Sequence, residues 1–311
     1  MRVLVTGAAG FTGTRMMEFL SGQQGVTFTG LIRNKPTKNA GVIGKQPVIT
    51  TDLLDRDSLF SGIAEVSPDA VVHLAGLTHG TFDALHSANV TGTKNLLDAV
   101  LAANPDCRIL VVSSSAVYGY AGDSPIPETA PLQPVSDYGK SKMAQEELAL
   151  RYASDGAAVA VARPFNLAGP GQTDAFVCGR IVKQVVEIER GEQAALELRE
   201  IVSARDLIDV RDVVRGYWAL ISYPDFSGDC AGRAFNLGSG NAYPLSTVIA
   251  MVEEMTGNIY KIQLPEEHPE IPVMSQRSDN SRITALTGWK PTITLKKTLA
   301  DMLAAAREAG A

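Results

Sequence analysis

The sequence is poor in cysteine and contains no long apolar run. Its 311 residues include three cysteines, Cys107, Cys178 and Cys230, which are widely spaced and form neither a metal-binding nor a redox motif. We therefore expect buried or partly buried thiols in a reduced, cytoplasmic protein. No apolar stretch approaches the roughly 18 residues that cross a bilayer. The first residues predict a strand rather than a signal peptide.

An excess of positive charge is absent as well. The chain has 28 Lys and Arg residues against 34 Asp and Glu residues, so its net charge is −6. This balance argues against a surface for nucleic acid or for an anionic membrane, although it leaves room for a local basic pocket that binds phosphates. A hydrophobic share of 45% is typical of a globular protein with a full core.

Short apolar runs alternate with amphipathic stretches over the first half of the chain. The amphipathic stretches cover Arg56–Val66, Asn89–Ala103 and Lys140–Tyr152. Strands joined by helical crossovers form a parallel sheet that is buried on both faces. The pattern therefore predicts an α/β fold with a doubly wound, Rossmann-type parallel sheet. The predicted strands are Arg2–Thr6, Thr27–Ile32, Gln46–Thr50, Ala70–Leu74, Arg108–Ser113 and Ala157–Arg163.

The pattern changes after about residue 165, where Gly169–Gly171 interrupts the alternation. We expect residues 1–165 to form the Rossmann domain, with a returning segment at about residues 202–240, and residues 166–311 to form mostly a smaller α/β lobe. For this lobe the sequence predicts helices over Asp174–Arg190, Asp209–Ile221 and Ser246–Met255, strands near Ala195–Ile201 and Arg233–Leu237, and a loop over Leu264–Pro272.

Three glycines, Gly7, Gly10 and Gly13, lie between the first predicted strand and a predicted helix. The first glycine permits a tight turn, and the second lets backbone N–H groups approach a pyrophosphate. The third lets the helix pack closely on the strand. The amino-terminal end of the helix then faces the phosphates. This context predicts a dinucleotide-binding turn, and the alternative is an ordinary turn between strand and helix.

The residues after the second predicted strand bear on the choice between NADP and NAD. An acidic residue there would bind the ribose 2′-hydroxyl, but the segment Leu31–Lys35 contains none. Arg33 can instead bind a 2′-phosphate through two hydrogen bonds, which favours NADP(H) over NAD(H). The alternative is a solvated basic loop. After the third strand, Asp52 can accept a hydrogen bond from the adenine amino group, or it can cap a helix.

Tyr138 and Lys142 are four residues apart and share one face of a predicted helix. We expect the ammonium to lower the pKa of the phenol and to hold a nicotinamide ribose, while the phenol exchanges a proton with a carbonyl or an alcohol. The serine run in Val112–Gly119 ends a predicted strand, where ligands bind in open α/β sheets. A serine there can hydrogen-bond the reacting oxygen, and the alternative is a serine-rich start of a loop.

Five segments of the first half resemble the motifs of one family. They are Thr6–Gly13, His73–Gly76, Asn89–Asn95, Val112–Gly119 and Tyr138–Lys142. In this order they resemble the extended short-chain dehydrogenase/reductases, the NAD-dependent epimerase/dehydratase family, and the likeness covers nearly the whole chain. It implies that Ser114, Tyr138 and Lys142 are catalytic and that Asn89 supports the active site.

The same resemblance implies two sets of binding residues. The cofactor-binding set is Gly7, Gly10, Phe11, Thr12, Gly13, Arg33, Asp52, Leu53, Leu74, Ala75, Gly76, Asn89, Tyr138, Lys142 and Pro164. The substrate-binding set is Thr78, Ser114, Ser115, Asn166 and Arg205.

The second half resembles nucleotide-sugar enzymes in Arg163–Gln172, Arg205–Val214 and Thr287–Pro291. Within that group the likeness is greatest to reductases of GDP-linked 4-keto-6-deoxy sugars. It implies that Asn166 contacts the sugar or a phosphate and that Arg205 pairs with the diphosphate. The alternative for Arg205 is an ion pair with Asp206 or Asp209. The resemblance also implies a homodimer formed through the helices Asn89–Ala103 and Lys140–Tyr152.

Two features depart from the family pattern. Ala116 stands where the similar 4,6-dehydratases carry a glutamate, so a group that dehydration needs for acid–base catalysis is missing. The late loop reads Glu267–Pro272 and lacks the arginine–proline pair that holds the diphosphate in related enzymes. Arg277 lies nearby and can take the place of that arginine.

We therefore expect an NAD(P)(H)-dependent oxidoreductase that reduces a nucleotide-linked keto sugar, with a GDP-linked 4-keto-6-deoxyhexose as its substrate. The first alternative is an NAD-dependent nucleotide-sugar 4-epimerase. The others are a reductase of a smaller carbonyl compound and a non-catalytic dinucleotide sensor. No metal site is expected.

Overall fold

The computed structural model describes residues 1–34, 46–266 and 273–309. The strands are β1 (Arg2–Thr6), β2 (Thr27–Ile32), β3 (Val48–Thr50), β4 (Ala70–His73), β5 (Arg108–Val112), β6 (Val159–Pro164), β7 (Asn166–Ala168), β8 (Leu196–Glu197), β9 (Ala204–Asp209), β10 (Ala234–Leu237), β11 (Ala242–Pro244), β12 (Ile262–Gln263) and β13 (Ser275–Gln276). The helices are α1 (Phe11–Ser21), α2 (Arg56–Val66), α3 (Phe82–His86), α4 (Gly92–Ala103), α5 (Asp137–Ser154), α6 (Val177–Glu189), α7 (Val210–Ile221), α8 (Leu245–Thr256), α9 (Ser281–Thr287) and α10 (Leu295–Ala309).

The large sheet has seven parallel strands in the order β3-β2-β1-β4-β5-β6-β10. Its central strands carry apolar runs that are buried on both faces, as crossover helices require. The expected α/β fold with a doubly wound Rossmann-type sheet is confirmed. The six strands predicted in the first half are all present, with bounds that differ by a residue or two at some ends.

Helices cover both faces of this sheet. On one face α1 and α7 pack through Met16, Leu20 and Tyr217, all fully buried. On the other face α2 and α4 contribute side chains such as Leu59 and Leu96 to a second core cluster. Burying each such side chain stabilises the fold by about 1.5–3 kcal/mol. The sheet is therefore a rigid platform for the loops at its edge.

The strand order reverses between β1 and β4, because the chain runs from β1 out to β3 and returns on the other side. In open α/β sheets the ligand crevice lies at this point, outside the carboxyl ends of the strands. The glycine turn after β1 and the segment Leu74–Gly76 after β4 both lie there.

A smaller mixed sheet surrounds β9. Strand β11 pairs antiparallel with β9, while β13 and β7 pair parallel with it, and β8 pairs with β12 separately. Helices α6, α8 and α10 form its core through Ile181, Val248 and Leu299. Helix α7, strand β10 and Ile283 of α9 pack instead in the core of the large sheet.

Strand predictions in the second half were partly wrong. The strand expected over Ala195–Ile201 is only Leu196–Glu197, and β9 was not predicted. Strand β9 holds Asp206, which is fully buried and breaks the apolar alternation that would reveal a strand. Its carboxylate accepts hydrogen bonds of 2.6–2.8 Å from the N–H and hydroxyl groups of Ser239 and Ser278. These long-range partners replace water, so the buried charge is tolerated.

Candidate active site

The glycine turn after β1 is too tight for any side chain. Gly7 has a φ of +65°, and a Cβ there would lie 2.8 Å from the backbone nitrogen of Ala75. A Cβ on Gly13 would lie 2.1 Å from the carbonyl oxygen of Gly7. Gly10 precedes α1 and provides no side-chain cap, so the first N–H groups of the helix are available to an anion. The turn therefore has the shape that a pyrophosphate requires.

A buried hydrogen-bond chain joins this turn to the end of β4. The hydroxyl of Thr6 accepts hydrogen bonds from the N–H groups of Leu74 and Ala75, each at 3.1 Å. Its own proton must therefore go to His73 Nδ1, which lies 2.7 Å away. His73 Nε2 then carries the ring proton and donates it to Thr93 Oγ1 at 2.8 Å. Only the neutral ring satisfies this chain.

Burial and, to a smaller extent, the nearby Lys142 together lower the pKa of His73 to about 3. Unfolded chains protonate this histidine below about pH 6.5, whereas the folded protein keeps it neutral until about pH 3. The unfolded state thus binds the extra proton between these values, and stability falls as the pH falls. We expect His73 to contribute a slope of up to about 1.4 kcal/mol per pH unit.

Urea unfolding of the wild type and of His73→Gln between pH 4 and 6.5 measures this slope. The variant should lack the contribution, so the two stability curves should converge as the pH falls. The exposed His86 offers the control, since His86→Gln should leave the wild-type slope unchanged. Parallel curves for the wild type and His73→Gln would contradict the prediction.

Ser114 follows β5 and caps a 3₁₀ turn over Ser115–Val117. Its Oγ accepts a hydrogen bond of 3.2 Å from the N–H group of Ala116. Tyr138 lies on the neighbouring α5, close enough to the Ser114 hydroxyl for that group to act on the pKa of the phenol. The structure thus brings together the serine and the tyrosine that the sequence places 24 residues apart.

Lys142 lies one turn after Tyr138 on α5, whose first turn is capped by Ser136. Its Nζ donates a hydrogen bond of 2.7 Å to the carbonyl oxygen of Val112, the last residue of β5. Only 6% of Lys142 is exposed. Burial lowers the pKa of its ammonium to about 7, although Glu146 opposes the shift. The lysine can therefore gain or lose its charge near neutral pH.

The expected lowering of the Tyr138 pKa by Lys142 is not what the structure shows. Burial raises the pKa of the phenol above its ordinary value, and the contact with Ser114 opposes that rise. The nitrogen of Lys142 is directed at the Val112 carbonyl instead. A phenol with a raised pKa keeps its proton at neutral pH, which suits a proton donor.

Asn89 lies in a π-helical turn over Ser87–Thr91 and is fully buried. Its Nδ2 donates hydrogen bonds to the Leu77 carbonyl at 3.0 Å and to Ser141 Oγ at 2.9 Å. Its Oδ1 accepts one of 2.8 Å from the Leu77 N–H group. Asn89 therefore fastens the loop after β4 to α5, and π-helical turns are frequent at functional sites.

Two residues expected at the adenosine end lie at the ends of β2 and β3. Arg33 is exposed directly after β2, and Lys35, two residues later, lies outside the described residues. Asp52 does not cap α2, because that role belongs to Asp55. Its Oδ1 accepts a hydrogen bond of 2.9 Å from the Leu54 N–H group, which leaves the other carboxylate oxygen available. Leu53 packs in the core beside them and is 9% exposed.

Other predicted cofactor residues line the same edge of the sheet. Phe11 and Thr12 begin α1 and are half-buried. A Cβ on Gly169 would lie 3.5 Å from Phe11, so this ring packs against the loop that enters the smaller lobe. Pro164 ends β6 and is buried, and Gly76 lies so close to Asn89 that a Cβ would be 2.6 Å from its Oδ1.

Asn166 and Arg205 lie on neighbouring strands of the smaller sheet. Asn166 begins β7, and its Nδ2 is buried with no hydrogen-bond partner among the described residues. Arg205 lies on β9, and burial lowers the pKa of its guanidinium, which nevertheless stays charged. Within the described segments it forms no ion pair with Asp206 or Asp209. The Asp206 carboxylate accepts hydrogen bonds from Ser239 and Ser278 instead. The Asp209 carboxylate accepts them from Arg211 and Thr298.

Ser115 and Thr78 are the other predicted substrate residues outside the smaller lobe. Ser115 is only 5% exposed, and its hydroxyl donates a hydrogen bond of 3.3 Å to Gln276 Oε1. The substrate contact of Ser115 stays a prediction, and in this structure Gln276 already takes its hydroxyl. Thr78 is exposed on the loop after β4, where its hydroxyl is 2.8 Å from His79 Nδ1. The late loop Glu267–Pro272 lies outside the described residues, whereas Arg277 has a buried Nε with no partner among them.

Sequence reasoning missed two residues that shape the site. Glu146 is buried one turn after Lys142, and it forms a buried ion pair with Arg163 of β6. Gln276 holds the turn after Ser114 from the smaller lobe. The spacing Lys142–Glu146 was a signal for the first, since residues four apart share a helix face. No local signal marks Gln276, because its partners lie 157 and 161 residues away.

The described residues offer no metal or redox centre. No group of three or more His, Cys, Asp or Glu side chains among them is arranged to hold a metal ion. Cys107, Cys178 and Cys230 are buried free thiols, and burial raises their pKa values to about 12, 12 and 11. Protonated thiols are poor nucleophiles. No described helix is both long and apolar enough to traverse a bilayer.

Comparison with known proteins places these features in a family. The family model described as GDP-mannose 4,6 dehydratase matches residues 4–302. The GDP-6-deoxy-D-mannose reductase of Pseudomonas aeruginosa is 33% identical, over 97% of this chain and 96% of that protein. The UDP-glucose 4-epimerase of Bacillus subtilis is 26% identical, over 97% and 95%.

A solved structure agrees with this placement. The structure of RMD from Pseudomonas aeruginosa complexed with NADPH is 31% identical, has a TM-score of 0.83 and is covered over 99% of both chains. The family match and the reductase each span most of the sequence. The protein therefore belongs to the NAD-dependent epimerase/dehydratase family of extended short-chain dehydrogenase/reductases, and it is a nucleotide-sugar enzyme that acts as a reductase or an epimerase.

Proposed function

We propose that the protein is an NADPH-dependent reductase of a GDP-linked 4-keto-6-deoxyhexose. The observation that carries this proposal is the convergence of Ser114, Tyr138 and the buried Lys142 at the carboxyl end of β5, where the Lys142 Nζ bonds the Val112 carbonyl at 2.7 Å. These three groups can hydrogen-bond a carbonyl oxygen, protonate it and hold a ribose. The glycine turn lies along the same edge of the sheet, where a Cβ on Gly7 would clash with the backbone of Ala75, so only glycine lets the turn close this tightly.

The residues divide the reduction between them. NADPH, when bound, supplies the hydride for the carbonyl carbon. Ser114 donates a hydrogen bond to the carbonyl oxygen, and Tyr138 transfers its phenolic proton to the alkoxide that develops there. Lys142 stabilises the phenolate that remains, and solvent returns the proton after the alcohol leaves. The raised pKa of Tyr138 favours this direction, because the phenol starts in its protonated form.

Dehydration is disfavoured by the surroundings of Ser114. A 4,6-dehydratase needs an acid–base pair to remove a proton and a hydroxyl group from the sugar. Ala116 has no such group, and the Ser115 hydroxyl is bonded to Gln276. The chain therefore lacks dehydratase chemistry at this position, although the family model takes its description from such an enzyme.

The smaller lobe provides cationic and amide donors that can bind the diphosphate of the substrate. Arg205 forms no ion pair among the described residues, although Glu200 is near enough to oppose the lowering of its pKa, and the buried Nδ2 of Asn166 has no partner there. Arg277, next to β13, adds a second guanidinium with an unpartnered Nε. A buried donor without a partner costs about 1–3 kcal/mol, which a bound phosphate or sugar would recover. A homodimer through α4 and α5 belongs to the same proposal.

The preference for NADPH rests on Arg33 at the end of β2. Replacing Arg33 with serine should raise the KM for NADPH roughly tenfold to a hundredfold, because a charge-assisted pair with the 2′-phosphate contributes about 1.5–3 kcal/mol. The KM for NADH should stay within twofold, since NADH lacks that phosphate. Steady-state kinetics with both cofactors measure the change. The exposed Arg151 on α5 provides the control, and Arg151→Ser should alter neither KM. An equal rise of the KM values for NADPH and NADH would show that Arg33 does not bind the 2′-phosphate.

A substrate screen tests the proposed function. GDP-, UDP- and dTDP-linked sugars, including 4-keto forms, are offered with NADPH and with NADH, and loss of nicotinamide absorbance is followed. We expect the fastest loss with a GDP-linked 4-keto-6-deoxyhexose and NADPH. An epimerase would instead interconvert a nucleotide sugar without net loss of cofactor, and it would carry NAD that dialysis does not remove. Turnover confined to a small carbonyl compound would reject the nucleotide-sugar assignment.

A further inference from the structure

Gln276 reaches from the smaller lobe into the turn that follows Ser114. It ends β13 and is 6% exposed. Its Nε2 donates hydrogen bonds to the carbonyl oxygens of Ser115 at 3.2 Å and of Gly119 at 2.9 Å. Its Oε1 accepts one of 3.3 Å from the Ser115 hydroxyl. Every polar atom of this side chain is therefore bonded to a single stretch of five residues.

The chemistry of these partners leaves one orientation for the amide. Both groups near Nε2 are carbonyl oxygens, which only accept, so the nitrogen must face them. A side chain at this position must supply two N–H donors and one acceptor. Glutamine meets this demand, whereas an ionised glutamate would set a carboxylate against two carbonyl oxygens. The site thus requires a neutral amide.

The stretch that Gln276 holds determines where Ser114 lies. This stretch, residues 115–119, begins directly after Ser114. Within it, the N–H group of Ala116 donates a hydrogen bond of 3.2 Å to Ser114 Oγ. Its far end, Gly119, has a φ of +64°, and a Cβ there would lie 2.1 Å from the Gln133 carbonyl oxygen, so this end is also constrained. Gln276 bonds both ends of the stretch at once, and a displaced stretch would carry Ser114 away from Tyr138.

The same glutamine is paired with the proposed diphosphate residue. In the parallel pairing of β13 with β9, Gln276 lies opposite Arg205. We propose that Gln276 is a positioning residue, which sets Ser114 relative to Tyr138 and couples that geometry to the strand that carries Arg205. This inference rests on the proposed function, because it assigns a use to the Ser114 hydroxyl.

Gln276→Glu turns the requirement for a neutral amide into a pH dependence. When protonated, the introduced carboxyl can donate to one carbonyl oxygen, and when ionised it can donate to neither. The ratio of the variant's kcat/KM to that of the wild type should therefore fall about tenfold per pH unit above the pKa of the introduced carboxyl. We expect this fall between pH 5 and 8 with the substrate found in the screen. The KM for NADPH should stay within twofold.

Gln184→Glu is the matched control. Gln184 is also a buried glutamine, 7% exposed, whose amide bonds both the N–H and the carbonyl group of Glu197 in the smaller lobe. Its substitution should give a kcat/KM ratio that does not change with pH. A flat ratio for Gln276→Glu, or the same fall in both variants, would overturn the assignment.

A second variant and a readout without substrate keep the inference testable. Gln276→Met matches the length and adds no charge, so it should fold at every pH and lower kcat about tenfold to a hundredfold through misplacement of Ser114. Hydrogen exchange followed by mass spectrometry should show faster exchange in the peptide that contains residues 114–119. Unchanged exchange there would overturn the role of Gln276 even if no substrate were found. If the wild type showed no activity, but its peptide 114–119 exchanged more slowly than that of Gln276→Met, only the proposed function would be rejected.

Discussion

Replacing Tyr138 with phenylalanine should lower kcat about a thousandfold while leaving the affinity for NADPH within twofold. The phenol lies beside the Ser114 hydroxyl, and burial raises its pKa, so it holds its proton at neutral pH. General acid catalysis by a positioned group contributes about 10²–10⁴-fold to a rate. Phenylalanine keeps the ring and its packing, so the cofactor cleft should retain its shape.

Two measurements separate this effect from damage to the fold. Titration of protein fluorescence with NADPH reports binding, and single-turnover reduction of the keto sugar reports the chemical step. Tyr120 is 48% exposed and lies on the loop after Ser114, so Tyr120→Phe is the matched control and should keep its activity. A Tyr138→Phe protein that retained more than a tenth of the wild-type kcat would show that another group supplies the proton.

Replacing Lys142 with methionine should lower kcat about a hundredfold or more and raise the KM for NADPH. The ammonium is buried, tied to the Val112 carbonyl and positioned one turn after Tyr138, so no other described cation can replace it there. Loss of its charge removes both the hold on the ribose and the stabilisation of the phenolate. The exposed Lys140 is paired with Asp137 at 3.2 Å, and Lys140→Met is the matched control that should change neither constant.

The same substitution should reveal the pH dependence of Lys142. Burial lowers the pKa of its ammonium to about 7, so the charged form is lost as the pH rises above this value. The kcat/KM for NADPH, which reports the free enzyme, should fall about tenfold per pH unit on that side. The profile of Lys142→Met should lack this limb. A wild-type profile that stayed level to pH 9 would contradict the assignment.

As the pH rises above about 7, the stability of the folded protein should increase while the activity falls. The folded-state pKa of Lys142 lies below its unfolded value, so the unfolded state binds the extra proton between these values and stability rises with pH there. Below about pH 7 the folded protein carries a buried ammonium and its full cost. Lys142→Met removes that cost, so its Tm at pH 6 should exceed that of the wild type. A less active but more stable variant would identify a residue kept for function.

The first half of the fold was predictable because its signals are local. The strands β1, β4 and β5 are short apolar runs, and the positions of Gly7, Gly10 and Gly13 follow from a turn too tight for a Cβ. The pair Tyr138 and Lys142 follows from four-residue helical spacing. Each of these inferences uses residues within a few positions of one another, so no knowledge of the tertiary structure was needed.

Features that depend on distant partners were not predictable in this way. Strand β9 carries the buried Asp206, whose hydrogen-bond partners Ser239 and Ser278 lie 33 and 72 residues away. Ser115 was expected to face the substrate, yet Gln276 takes its hydroxyl from the other lobe. Asp52 was expected either to bind the adenine amino group or to cap a helix. Asp55 caps α2 instead, and the local sequence does not distinguish between the two aspartates for this role.

The sequence alone thus determined the parallel sheet, the glycine turn and the common helix face of Tyr138 and Lys142, because periodicity, backbone space and helical spacing are local properties. The tertiary structure decided the protonation states and the geometry of these groups. His73 is neutral because Thr6 and Thr93 enclose it, and Lys142 titrates near pH 7 because it is buried against β5. Burial and long-range hydrogen bonds fix such properties, and they exist only once the chain has folded.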